Sequence, residues 1–102
     1  MAFLYVSEYT AQQTDQGKAV PIAFCPAIAE YTLAIGGGSV ASPAFQPNTN
    51  IVRLHSDAVC SIKFGQNTPI ATATNARMAQ NQTEYFGVEP GQSFKVAVIT
   101  NV

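Results

Sequence analysis

A chain of 102 residues is expected to form one domain, and at that length it can bury a core without disulfide staples. Charged residues make up only 11% of it, with a net charge of −1, against a usual charged share of about 25%. Lys18, Arg53, Lys63, Arg77 and Lys95 are scattered and form no basic stripe, which argues against nucleic acid as a partner, and a surface so poor in charge suits a protein covered by neighbours better than a free monomer.

The first ten residues, MAFLYVSEYT, lack both a basic n-region and a small-residue cleavage site, so they read as part of the domain and not as a signal peptide. Phe3 to Glu8 is rich in aromatic and β-branched residues and forms the first strand. The stretch Tyr9 to Lys18 is polar, rich in glutamine and closed by Gly17; it is an exposed connection, or an arm that reaches a neighbouring subunit. Val20 to Cys25 is apolar but bounded by Pro21 and Pro26, and proline cannot donate to a ladder, which confines this piece to an edge or an irregular approach. From Glu30 to Ile35, Tyr31, Leu33 and Ile35 alternate with Glu30, Thr32 and Ala34, the pattern of a half-buried strand. Gly36, Gly37 and Gly38 end it. They make a turn, because a phosphate-binding loop would lead into a helix and carry Lys and Ser/Thr at fixed offsets.

Ser39 to Phe45 is short and interrupted by Pro43, and Pro47, Asn48 and Asn50 supply turn residues. Ile51 to Gly65, IVRLHSDAVCSIKFG, contains two strand-like runs. Val52 and Leu54 share one face of the first run; Cys60, Ile62 and Phe64 share one face of the second. An antiparallel hairpin with Leu54 opposite Cys60 and Val52 opposite Ile62 gathers the apolar set on one side, with Ser56, Asp57 and Ala58 as the connection. Gln66 to Asn81 shows no sustained period and reads as a long ordered loop, with room for a short helical turn at Asn75 to Gln80. Thr83 to Val88 is the next strand. Glu89, Pro90 and Gly91 then make a type II turn, with proline presetting the first central position and glycine accepting the positive φ of the second. Phe94 to Thr100 closes the chain as the second arm of a hairpin across that turn, with apolar residues on both faces, as in a central or interface strand.

Short strands separated by Gly, Pro and Asn turns, without a convincing helix, predict an all-β fold. The expected form is a single antiparallel β-sandwich or barrel over 1–102, of about seven to eight short strands, with a polar arm at 9–18 and a long loop at 66–81. No apolar run reaches the roughly 18 residues of a membrane span, so a soluble protein without a membrane partner is expected. Cys25 and Cys60 lie in apolar contexts and read as free buried thiols, which fits assembly in a reducing compartment.

Catalysis needs convergent groups, and none converge here. Glu8, Asp15, Glu30, Asp57, Glu84 and Glu89 are spread along the chain without predicted partners, and His55 is the single histidine, on the outer face of its strand. No catalytic, cofactor-binding or metal-ligating residue is assigned, no cofactor is expected, and the chain reads as a non-enzyme. Tyr5, Tyr9, Tyr31 and Tyr85 read as exposed; such rings stack on sugars or bases, or cover sheet faces and interface cores.

The segments SDAVCSIKFG, TPIATATNARMAQNQTEYFGV and EPGQSFKVAVIT together carry a D-x-x-C-x-I-x-F-G strand, an AT-rich loop, an E-x-x-x-V strand and a final G-x-x-x-K-V-A-V-I strand. Over about residues 50 to 102 this pattern resembles small β-rich structural proteins of tailed bacteriophages. The resemblance implies a virion component, assembled in the host cytoplasm and placed on the capsid exterior. That component would be a head decoration or cement protein that binds the major capsid protein and self-associates as a dimer or trimer. The competing expectation is a carbohydrate- or receptor-binding sandwich of a head fibre or tail component.

Overall fold

The computed structural model describes residues 2–10, 12–15, 18–23 and 27–101. Among them the strands are β1 (Ala2–Tyr9), β2 (Gln12–Asp15), β3 (Lys18–Ala23), β4 (Ala29–Ile35), β5 (Val40–Ala41), β6 (Ile51–Ser56), β7 (Cys60–Gly65), β8 (Ala76–Met78), β9 (Thr83–Gly87) and β10 (Lys95–Thr100). A front sheet runs in the order β4-β1-β6-β9 and a back sheet in the order β5-β10-β7-β8, all pairings antiparallel. The fold is the expected all-β sandwich, with eight strands in its two sheets. The remaining two strands, β2 and β3, pair only with each other.

Period two dictates which side chains meet. On the front sheet Leu4, Val6, Leu33, Val52 and Leu54 point inward; on the back sheet Cys60, Ile62, Val96 and Val98 answer them, with Met78 closing the β8 side. Leu4, Val52, Leu54, Cys60, Met78, Val96 and Val98 are completely buried. As its two-faced apolar pattern required, β10 is a central strand, between β5 and β7.

Four expectations need correction. The runs 51–56 and 60–65 do not form a hairpin. β6 lies between β1 and β9 in the front sheet and β7 between β10 and β8 in the back one, so the chain arches across the core at 57–59. Alternation fixes which face of a strand is buried but not which strand lies beside it, and the apolar faces of β6 and β7 bury each other as well across the sandwich as side by side. Ser56 anchors the corner. Its hydroxyl donates to the Ala79 carbonyl at 2.7 Å, its N–H donates to the Gln82 carbonyl at 3.1 Å, and its own carbonyl accepts the Asn81 N–H at 2.8 Å. The pair 83–88 and 94–100 is a second arch of the same kind, since β9 belongs to the front sheet and β10 to the back. Its turn is as expected: Gly91 has φ +77°, the left-handed value that glycine takes without strain.

The polar stretch 9–18 is not an irregular loop, because it contains β2 and the start of β3. Proline in β3 is tolerated since each strand of a two-stranded ribbon has a free edge. Cys25 and Pro26 lie outside the described residues. Finally, the helical turn allowed at 75–80 is replaced by β8, whose residues pair with Cys60, Ser61 and Ile62. The loop before it is ordered, as expected, and does a specific job. Ser61 and Ala97 point away from the core yet are fully buried, because 66–75 crosses the outer face of the back sheet as a strap. Its Ala71 N–H donates to Ser39 Oγ, next to the β5 edge, at 2.9 Å, and Asn101 Nδ2 donates to both Ser61 Oγ and the Ala73 carbonyl, at 2.7 and 3.3 Å.

Adjacent positions of β6 test this arrangement. Leu54→Ala is expected to lose about 2–5 kcal/mol in urea denaturation through the cavity it leaves, while Arg53→Ala, on the outward face, stays within about 1 kcal/mol of the parent.

Candidate functional site

Among the residues whose side chains are described, the one charged side chain in the interior is Glu8. It shares the parity of Leu4 and Val6 on β1, so the pleat carries its carboxylate inward, where it is 1% exposed. Three donors converge on it. Tyr31 Oη–H donates to Oε2 at 2.8 Å, while the Gln46 N–H and Thr49 Oγ1–H donate to Oε1 at 2.8 and 2.7 Å. Tyr31 belongs to β4 and reaches Glu8 because it shares the parity of Leu33 and Ile35; it is an inward residue, not the exposed one expected. Burial, then the hydrogen bond to Glu8 and its negative charge, push the Tyr31 phenol well above its ordinary range. The cluster is a clamp: Gln46 and Thr49 lie in the segment that carries the chain from β5 in the back sheet to β6 in the front sheet. Sequence reading placed Glu8 among acids without partners. Parity along β1 was the signal that could have singled it out, but its partners lie 23 to 41 residues away.

The remaining candidates are dispersed by the fold. Glu30 is outward on β4, Asp57 sits in the first arch, Glu84 is on β9 and Glu89 follows it, while the side chain of Asp15 lies outside the described residues. Among the described residues no three of His, Cys, Asp and Glu come together as a metal set. Cys60 is a free, buried thiol, pushed up in pKa by burial against a lowering hydrogen bond from Ser56, which leaves it in the unreactive thiol form. Where β8 stops, opposite Ile62, the second sheet is one strand short. A cleft of about 260 Å³ opens there, lined by Phe64, Phe86, Gly87, Val88, Glu89 and Phe94. The Phe64 and Phe86 rings pack tilted at 5.0 Å, so the cleft is the frayed end of the core.

The outer faces of the two sheets differ. The strap covers the back face, but the front face is bare of any described segment that crosses it in the same way. Its outward positions form rows across the strands: Thr32, Tyr5, His55 and Thr83 in one, Glu30, Ser7, Arg53 and Tyr85 in the next, with Phe3, Tyr9 and Ile51 beyond. Tyr5 is 37% and Tyr85 58% exposed. His55 is on this outer face, as expected. Its ring stacks with Tyr5 at 6.3 Å and 13°, and its Nδ1 is hydrogen-bonded to Thr83 Oγ1 at 2.7 Å. Only Glu30 and Arg53 bring formal charge to the outward strand positions, and between them Ser7 floors a shallow depression of about 340 Å³. Aromatic, and carrying one carboxylate and one guanidinium at its outward strand positions, this face is the candidate functional surface.

Comparison of the chain with protein-family models, with curated proteins and with solved structures found no match.

Two measurements probe the clamp. Glu8→Ala strands three donors in the interior and is expected to cost about 3–5 kcal/mol in chemical denaturation. Glu8→Gln, whose amide oxygen still accepts from Gln46 and Thr49, is expected to cost less. Because the folded state holds Tyr31 protonated, its contribution is complete below the pKa of the unfolded phenol and declines as pH rises past it. The parent therefore loses stability as pH rises from the unfolded value, about 10, towards the raised folded one; Tyr31→Phe, followed by urea denaturation at and above pH of about 10, lacks this part of the slope.

Proposed function

We propose that this chain is a non-enzymatic structural protein of a virion: a capsid decoration or cement protein that binds the head lattice and stabilises it. The observation that carries the reading is the contrast between the two sheet faces. One is crossed by the chain's own strap, and the other, which no described segment crosses in that way, is aromatic and carries only Glu30 and Arg53 as formal charges at its outward strand positions. A small domain with such a face is suited to an assembly in which neighbouring subunits, further copies of the chain among them, cover it. The resemblance of residues 50 to 102 to small structural proteins of tailed phages supplies the setting, with the major capsid protein as partner. The mechanism is additive: apolar burial contributes about 25 cal/mol per Å² before the costs of association are subtracted. Many copies, each bridging adjacent capsomers, resist internal pressure together.

The ribbon within 9–18 and the loop at 66–81 are assigned the capsid contacts. Most of that loop is engaged in strapping the back sheet, so its free element is Ile70, 65% exposed on the strap. A second reading, a carbohydrate- or receptor-binding module, is favoured by the near-parallel rings of Tyr5 and His55 with Tyr85 on the same face, since such aromatics stack on sugar rings.

Co-sedimentation with mature and empty capsids separates the two. The cement reading expects saturable binding at a fixed ratio to the major capsid protein, weakened by Ile70→Asp and by removal of 11–17. Absence of capsid binding, together with retention on a glycan array that Tyr85→Ala abolishes, transfers the protein to the receptor-binding class.

A further inference from the structure

The front face carries a pit and, two residues along the same strand, a knob. Ser7 is the smallest side chain in its row, and the depression above it is walled by Tyr5, Glu30, Thr32 and Arg53. Tyr5, about 6.8 Å along β1 at antiparallel rise, stands 37% exposed with its ring already held against His55. We propose that a second copy of this chain docks face to face on the front sheet, with Tyr5 of each copy entering the Ser7 pit of the other.

The two-fold axis lies in the interface, across the strands, midway between the two rows. It lays Thr32, Tyr5, His55 and Thr83 of one copy over Glu30, Ser7, Arg53 and Tyr85 of the other. Hydrogen-bond and cation–π complementarity selects this occupant. The Tyr5 hydroxyl enters between the second copy's Glu30 carboxylate, to which it donates, and its Arg53 guanidinium, which lies against the ring face. Thr32 donates to the same carboxylate, and the His55 ring extends the Tyr5 plane over Arg53. A two-fold parallel to the strands would set Glu30 over Arg53 but pit over pit. A rim ion pair contributes little, whereas facing pits leave a void where packing contacts are forfeited. The contact is isologous, so it closes at two copies. It leaves the ribbon and Ile70 free for the lattice, and it does not depend on a capsid being the further partner.

Sedimentation velocity on the full chain over a concentration series, with circular dichroism as the check of folding, tests the proposal. The parent is expected to be a dimer, Tyr5→Ala and Ser7→Tyr folded monomers, and Tyr5→Phe and Glu30→Gln dimers weakened by about tenfold or more, because each lost charge-assisted hydrogen bond counts twice. A parent that stays monomeric at every concentration overturns the proposal. So does a trimer or larger ring, or a dimer indifferent to Tyr5→Ala. Should Ser7→Tyr fail to fold, Tyr5→Ala and Glu30→Gln decide alone, since both alter exposed side chains.

Discussion

The arrangement of this sandwich depends on one buried carboxylate. Taking Glu8 out of water costs several kcal/mol unless donors replace its hydration, and the chain brings it three: from β4, and from the crossover between the sheets. The same neighbourhood places backbone. The Ile28 N–H donates to the Glu8 carbonyl at 2.7 Å, and the Asn50 N–H to that of Tyr9 at 2.9 Å. These contacts set β4 on one side of β1 and deliver the chain to β6 on the other. An interior charge therefore acts here as an organiser of topology: a strand order that left any donor elsewhere would leave the carboxylate short of partners.

What was legible in the sequence follows from what period two encodes. Alternation located β1, β4, β6, β7, β9 and β10 and sorted their faces, so that Leu33, Leu54, Ile62 and Val98 were readable as core. The EPG turn was readable because its chemistry is local to three residues. Lateral neighbours were not, since Val52 and Ile62 obey the same alternation whether their strands pair edge to edge or oppose each other across 10 Å of core. The strand at Ala76–Met78 escaped because three residues hold too little pattern, and only its pairing with Cys60 to Ile62 defines it. Tyr31 was misplaced for another reason. A tyrosine is amphipathic, and whether its hydroxyl stays wet or finds a buried acceptor depends on a residue far away in sequence.

The candidate surface was legible only in part. Low charge pointed to a covered surface, and Tyr5, Tyr85 and His55 stood out as residues, but that they share a face with Arg53 and Glu30 required the strand order β4-β1-β6-β9. The long loop, read as an ordered connection, spends much of its length across its own sheet. The outer faces of the two sheets therefore differ: a strap crosses the back one, and the front one presents its side chains outward.

The arches also govern how the molecule is built. With β6 and β7 in opposite sheets, and β9 and β10 likewise, the tightest turns of the sandwich create no ladder of their own. Its front sheet pairs β1 with β4 and with β6 across tens of residues of chain, so long loops must close before the reward of pairing arrives. Such non-local order places folding in the range of milliseconds to seconds typical of sandwiches. During that time the apolar faces of half-paired strands remain open to strands of other nascent copies. For a chain whose proposed employment is in many copies, the interval between synthesis and closure of the core is the period in which correct assembly competes with aggregation.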